Sequence, residues 1–259
     1  MTRQAVVRAG EVPAEPVPGG GTVRTLLDAG ADGGLLARRL IELPLSAEAG
    51  GTGGGAGELW FVISGSGRLD VEGHPGLSLS PDRGVWIPAG ATYRLQSEGP
   101  AQLRMDAVTL PSTAGEAAGQ AGPAAGTQAD ATPGQPAGTA TAPMACDFRD
   151  CAVETTGDRQ FRVLFGPGQG CEIATQFVGE IPPGRAPEHS HPYDEVVLIL
   201  AGEGVVHAGG QDHALSPGTC THLPPGQLHC LENAGQATLR VLGVFHPANS
   251  PAAKLEKHG

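Results

Sequence analysis

Four blocks of this chain occur twice, in the same order and at a nearly constant offset. VRTLLDAG at 23–30 is echoed by FRVLFGPG at 161–168, and LLARRLIELP at 35–44 by IATQFVGEIP at 173–182. ELWFVISGSG at 58–67 returns as EVVLILAGEG at 195–204, and LSPDRGVWIPAGATY at 79–93 as LSPGTCTHLPPGQLH at 215–229. Ordered matches of this kind mark a duplicated unit, so both halves must share one architecture. Between them, 111–143 reads PSTAGEAAGQAGPAAGTQADATPGQPAGTATAP, without one large apolar residue. Such a segment cannot bury enough surface to offset the entropy of ordering it, and a flexible linker is expected. The expected organisation is a domain over 1–110, a linker over 111–145 and a second domain over 146–259, each domain of ordinary size.

The local signal in both halves is β. EVVLILAG and ELWFVISG are short apolar runs ended by glycine, as buried strands are, and turns such as HAGGQDH and PPGQ follow closely. No stretch carries a helical period. With 41 Gly and 23 Pro, short strands joined by tight turns fit better than long helices. The fold class expected is all-β, a sandwich or barrel in each half.

Charge and composition exclude several functions. The formal net charge is −11 and no Lys/Arg cluster interrupts it, which argues against nucleic acid as a partner. No run of about 18 apolar residues exists to span a membrane. The opening MTRQAVVRAGEVPAEP lacks an apolar signal-peptide core, so a cytoplasmic location is expected. The five cysteines, Cys146, Cys151, Cys171, Cys220 and Cys230, are then expected as reduced thiols. CDFRDC at 146–151 does not have CxxC spacing, so free thiols are the simpler reading and a zinc or redox pair the alternative.

The chemistry concentrates in EHSHPYDEVVLILAGEG, 188–204. His189 and His191 lie two apart, so in extended chain they project from one face. Pro192 and its neighbours make a turn, and Glu195 opens the next strand beside the histidines. Further on, Pro224 and Gly226 make a turn before His229 starts another strand. Three imidazoles and a carboxylate either grip a cation or impose a heavy burial cost.

These residues carry a resemblance. The C-terminal half resembles the cupin superfamily, whose first motif centres on HxHxxxE flanked by glycines. Here it reads Gly184, His189, His191, Glu195 and Gly202, with the first gap one residue shorter than usual. The second motif, GxxxxxPxGxxHxxxN, is matched by Gly218, Pro224, Gly226, His229 and Asn233. With the repeat, the resemblance implies a bicupin: two double-stranded β-helix, or jelly-roll, barrels. It also implies one divalent metal in the C-terminal barrel, held by His189, His191, Glu195 and His229. Three neutral nitrogens and one anionic oxygen suit Fe above all, with Mn, Ni, Cu or Zn as alternatives.

The N-terminal half departs from that pattern. Glu58 stands where Glu195 does, but a constant offset puts Thr52 and Gly54 in place of the two histidines and Tyr93 in place of His229. That barrel is expected to bind no metal. Other candidates around the site are Tyr193, His207, Cys220, His222, Arg162 and Gln176. Cys220 and His222 share a face and read either as pocket residues or as packing at a barrel interface. Arg162 would suit a substrate carboxylate or a structural pair.

A metal-dependent enzyme of small-molecule metabolism is expected, foremost a non-haem Fe(II)-type dioxygenase in which Glu195 also accepts a substrate proton. A non-redox isomerase, lyase or decarboxylase is the alternative, and a non-catalytic metabolite-binding protein the third. A small-molecule substrate is the expected partner, and the molecule is expected to be a monomeric pseudo-dimer or a homodimer.

Overall fold

The computed structural model describes residues 6–30, 34–112 and 140–252. The first half contributes β1 (Val6–Arg8), β2 (Glu15–Val17), β3 (Gly21–Leu27), β4 (Ala37–Leu43), β5 (Glu48–Thr52), β6 (Gly57–Ser64), β7 (Ser66–Val71), β8 (Leu77–Leu79), β9 (Arg83–Pro88), β10 (Thr92–Glu98) and β11 (Leu103–Thr109). The second contributes β12 (Met144–Asp147), β13 (Glu154–Thr156), β14 (Arg159–Phe165), β15 (Thr175–Ile181), β16 (Gly184–Arg185), β17 (Asp194–Ala201), β18 (Gly204–Ala208), β19 (Gln211–Leu215), β20 (Thr219–Leu223), β21 (His229–Asn233) and β22 (Leu239–His246). Among the described residues the remaining regular structure is two 3-10 turns, Ala9–Glu11 and Phe148–Asp150. Among the described residues no helix is long and apolar enough to cross a membrane.

The all-β expectation holds. Each barrel pairs a seven-stranded sheet with a four-stranded one. In the C-terminal barrel the orders are β1-β20-β17-β22-β15-β14-β13 and β16-β21-β18-β19. In the N-terminal barrel they are β12-β9-β6-β11-β4-β3-β2 and β5-β10-β7-β8. The orders correspond strand for strand, as a duplicated sequence requires.

One strand in each large sheet comes from the other half. β1 pairs with β20, Val7 opposite Cys220, and β12 pairs with β9, Cys146 opposite Gly84. The exchange covers one edge of each large sheet, an edge that would otherwise present unpaired backbone groups. The linker expected over 111–145 lies outside the described residues from 113 to 139. Its last part is built into the fold: Ala140 N–H donates to Gly170 O, and the Trp86 indole donates to Ala140 O at 2.9 Å.

The central strands read as unbroken apolar runs because both of their faces are buried. In β17, Val197 and Ile199 point into the C-terminal barrel, while Val196 and Leu198 join the core between the barrels. In β6, Trp60 and Val62 point into the N-terminal barrel, while Leu59 and Phe61 face the second barrel. The inter-barrel core also takes Trp86, Val108, Phe165, Val178 and Val244. Two buried polar side chains at this interface donate across it, although Arg38 Nη1 and Gln176 Oε1 make no hydrogen bond. Arg38 is fully buried, donates two hydrogen bonds to Asp106 at 2.8 and 3.0 Å, and donates a third to Leu242 O of the other barrel at 3.1 Å. Gln176 donates from Nε2 to Trp60 O at 3.3 Å.

Candidate metal centre

Backbone pairing brings the two motifs together. His189 and His229 exchange both N–H···O bonds at 2.9 Å, a bridge across 40 residues of sequence that sets their side chains on one face. The turn before His229 is fastened to the first motif as well, since Gly226 N–H donates to His191 O at 2.9 Å. Gly226 has φ +74°, which only glycine adopts freely, so this turn is set by residue type. Glu195 lies in β17 on the same face as Val197 and Ile199, so it points into the barrel.

His191, Glu195 and His229 are buried, and each offers a ligand atom within 4.8 Å of the others. The His189 ring lies beside this trio at the half-exposed edge, its centroid 4.6 Å from that of His229. The tautomers follow from the partners. His191 Nδ1 lies 2.9 Å from Tyr193 O and His229 Nδ1 lies 2.8 Å from Gln227 O. A carbonyl can only accept, so Nδ1 carries the hydrogen in both rings and Nε2 keeps its lone pair. His189 turns Nδ1 toward Pro187 O in the same way, at a longer 3.4 Å.

His191 Nε2 and Glu195 Oε2 are 2.8 Å apart, yet Nε2 makes no hydrogen bond of acceptable geometry and is sealed from solvent. A buried, unpaired imidazole nitrogen beside a carboxylate is the arrangement that a cation satisfies. Burial also holds the His229 imidazole below its ordinary pKa, opposed by the nearby Glu195 carboxylate, which favours the neutral ligand form. The donor set fits a divalent ion.

The trio opens into a cavity of about 240 Å³. Its walls are aromatic and aliphatic: Phe161, Phe177, Tyr193, Val197, Leu223, Leu231 and Val241. Tyr193 is stacked between rings, 4.2 Å from His191 and 4.0 Å from Phe245. Burial pushes its hydroxyl pKa up, and Glu195 adds to the shift, so it stays protonated. Arg159 also lines the cavity. It donates to Leu231 O at 2.6 Å, and burial lowers its pKa although Asp158 opposes the shift.

A cupin domain model matches residues 177–245, which contain both motifs. The C-terminal barrel is a cupin domain. An oxalate-binding protein from Thermotoga maritima is 36% identical over 68 residues, which is 26% of this chain and 56% of that relative, so the likeness spans about half of the relative's length. Two solved structures share the whole architecture. Protein Ylba from E. coli superposes with a TM-score of 0.73 at 14% identity, covering 96% of this chain and 93% of its own. Oxalate decarboxylase from Bacillus subtilis superposes with a TM-score of 0.72 at 13% identity, covering 99% and 79%. At such identities the likeness is one of fold.

The remaining sequence candidates lie elsewhere in the chain. Arg162 alternates with Phe161, which lines the cavity, and with Val163, which packs beside it, so it points to the opposite face; there it donates to Cys151 O at 2.6 Å and stacks on Phe148. Gln176, Cys220 and His222 face the other barrel rather than the cavity. His222 is held by Asp194 at 2.5 Å, and Asp194 also accepts from Leu35 N–H at 2.8 Å. His207 sits between Asp212 and Glu232 at 2.6 and 2.8 Å and does not line the cavity. Of these candidates only Tyr193 reaches it. Sequence reasoning missed Arg159 and the aromatic wall, because β14 carries an arginine on each of its faces, Arg159 and Arg162, and alternation does not say which of them points inward.

The N-terminal barrel uses the corresponding position differently. Glu58 is buried, but its carboxylate accepts from Arg39 at 2.7 Å, Thr109 at 3.1 Å, Gly54 N–H at 3.2 Å and the Trp60 indole at 2.7 Å. Both oxygens are engaged by donors and Arg39 neutralises the charge, so these residues do not fit a metal. The histidine equivalents need a one-residue correction. Tyr93 lies opposite Gly51, and Gly90 N–H donates to Gly53 O as Gly226 does to His191. Gly51 and Gly53 therefore stand in place of His189 and His191, rather than Thr52 and Gly54. The constant offset failed because the N-terminal loop before Glu58 is one residue longer.

Proposed function

We propose that His189, His191, Glu195 and His229 hold one divalent metal and that this centre acts on a small organic carboxylate. The observation that carries the reading is the unpaired, buried Nε2 of His191, facing Glu195 and His229 at the wall of a largely apolar cavity. When bound, the metal supplies Lewis acidity and, in the case of iron, copper or manganese, one-electron chemistry. The chain's own residues do the rest. Arg159 offers its guanidinium to a substrate carboxylate, a pairing strengthened by its burial and by the lack of an acidic ion-pair partner among the described residues. Phe161, Phe177 and Phe245 exclude water. Tyr193 braces the His191 ring, and Glu195 accepts a substrate proton.

An oxygenase is the reaction this wall favours. Apart from Glu195, the carboxylate lining the cavity is Asp158, which sits in the β13–β14 hairpin turn. The aromatic and aliphatic lining favours oxygen chemistry, which needs water kept away from reactive intermediates. The relative named as an oxalate-binding protein favours a second reading, binding or non-oxidative cleavage of a small dicarboxylate.

The test begins with metal analysis of untagged protein purified without chelator. About one iron per chain and substrate-dependent O₂ uptake over a panel of carboxylic acids support the oxygenase. Turnover under anaerobic conditions with manganese, nickel or zinc supports the second reading. No stoichiometric metal after reconstitution overturns both. Arg159→Gln should raise KM for carboxylates by about tenfold or more, the cost of one charged hydrogen-bonding partner, with metal content unchanged.

A further inference from the structure

Cys146 and Cys151 are half-buried, while Cys171, Cys220 and Cys230 are buried. The Sγ atoms of the first two lie 3.0 Å apart. The backbone builds this approach. Cys146 sits on the exchanged strand β12, and the chain then enters the Phe148–Asp150 turn. Phe148 N–H donates to Asp82 O at 3.0 Å and Cys151 N–H to Phe148 O at 3.3 Å, which folds Cys151 back over Cys146. The Cys151 carbonyl holds Arg162, and Arg162 and Arg240 both lie on the Phe148 ring at 4.8 and 4.7 Å. The turn is thus fixed from both barrels. A disulfide requires the sulfurs at about 2.05 Å, a further ~1 Å that small side-chain rotations cover.

We propose that Cys146 and Cys151 form a thiol–disulfide site, oxidised as a pair by hydroperoxides, whose bond closes the turn after the exchanged strand. Cys146 acts first: its thiolate attacks the distal peroxide oxygen, the O–O bond breaks, and the alcohol or water leaves. The resulting sulfenic acid is attacked by the Cys151 sulfur, an S–S bond forms, and the hydroxyl departs as water with the Cys151 proton. In total two thiols give up two electrons and two protons, and the hydroperoxide is reduced to an alcohol and water. The order follows from the surroundings. Burial, together with the neighbouring Cys146, pushes the Cys151 thiol up to about 12, so Cys151 remains protonated and serves as the resolving group. The metal site is not involved, since neither sulfur lines the cavity.

The test uses the full chain, reduced and then exposed to hydrogen peroxide. After alkylation under denaturing conditions, peptide mass analysis should find 146 and 151 linked, with Cys171, Cys220 and Cys230 alkylated, and dithiothreitol should restore both thiols. Cys151→Ser should leave Cys146 as a sulfenic acid captured by dimedone, and folding of that variant is checked by its unfolding midpoint. Two free thiols at 146 and 151, at a peroxide dose that already oxidises the methionines, overturn the proposal. So does accumulation of sulfinic acid at Cys146 in the unsubstituted chain, or a bond from either residue to another cysteine.

Discussion

The two barrels share a ladder and differ in what occupies it. Glu58 lies opposite Ile87 and Thr109, and Glu195 lies opposite Leu223 and Phe245. Two residues further along the same strands stand Trp60 and Val197. Where Val197 leaves space above the carboxylate, the Trp60 indole fills it and donates to Glu58. Where Phe177 forms wall, Arg39 stands at the equivalent register and neutralises Glu58. Tyr93 packs edge-on against Trp60 at 4.8 Å, in the place of His229. Its hydroxyl takes the room a side chain at Gly51 would need, since a Cβ there would lie 2.5 Å from it. The same ladder thus holds a histidine–carboxylate cluster beside a cavity in one barrel and a packed core in the other. The carboxylate survives because it has been given other partners.

The largest expected contrast is in metal content. His191→Ala should lose bound metal almost entirely, by more than the 10–100-fold typical of a change behind a ligand, while Tyr93→Ala keeps it. Stoichiometric metal in purified His191→Ala would falsify the asymmetry between the barrels. The interface pair comes next. Arg38→Met leaves Asp106 buried without a cation and should cost about 3–5 kcal/mol, read from the urea midpoint. The double change Arg38→Met with Asp106→Leu should recover most of that loss; no recovery would mean that the contact to Leu242 O, rather than the ion pair, sets the cost.

Trp60→Ala should destabilise by about 3–5 kcal/mol, since it empties a packed barrel and releases Glu58. The opposite exchange, Val197→Trp, should fill the C-terminal cavity. It should abolish ligand binding measured by calorimetry while the metal stays. Unchanged binding in that variant would show that the ligand sits elsewhere.

The smallest effect concerns strand exchange. Arg83 on β9 pairs with Asp147 on β12, and its hydrogen bonds hold the Asp147 carboxyl below the ordinary value of 3.8. A lowered folded pKa means that this stabilisation is complete above pH 3.8 and is lost as pH falls through the folded value. The pair is partly exposed, so Asp147→Asn should cost no more than about 1 kcal/mol at neutral pH. The variant and the parent should converge in thermal midpoint on acidification. A gap that persists below the folded pKa would assign the effect to backbone pairing instead.

The duplicated blocks and the spacing of His189, His191, Glu195 and His229 were legible from the chain, because strand alternation, turn glycines and proline act locally. Fold class followed for the same reason. The register of the degenerate motif was not legible, since only the bonds from Gly90 and the pairing of Gly51 with Tyr93 reveal the extra loop residue. Nor was the placing of Arg162, Gln176, Cys220 and His222, because β15 and β20 are covered on both sides and β14 carries an arginine on each face. Alternation says that neighbours point apart without saying which of them points in.

By itself, then, the sequence determined two β-barrels of common ancestry and a histidine–carboxylate cluster in the second. Those features depend on residue types at short range. Tertiary structure alone decided that β1 and β12 cross to the opposite barrel, that Arg159 rather than Arg162 reaches the cavity, and that Trp60 closes the first barrel. It also set Cys146 against Cys151, a contact that CDFRDC spacing left open. Each of these depends on which face of a strand meets which neighbour, and that is fixed only when the sheets pack.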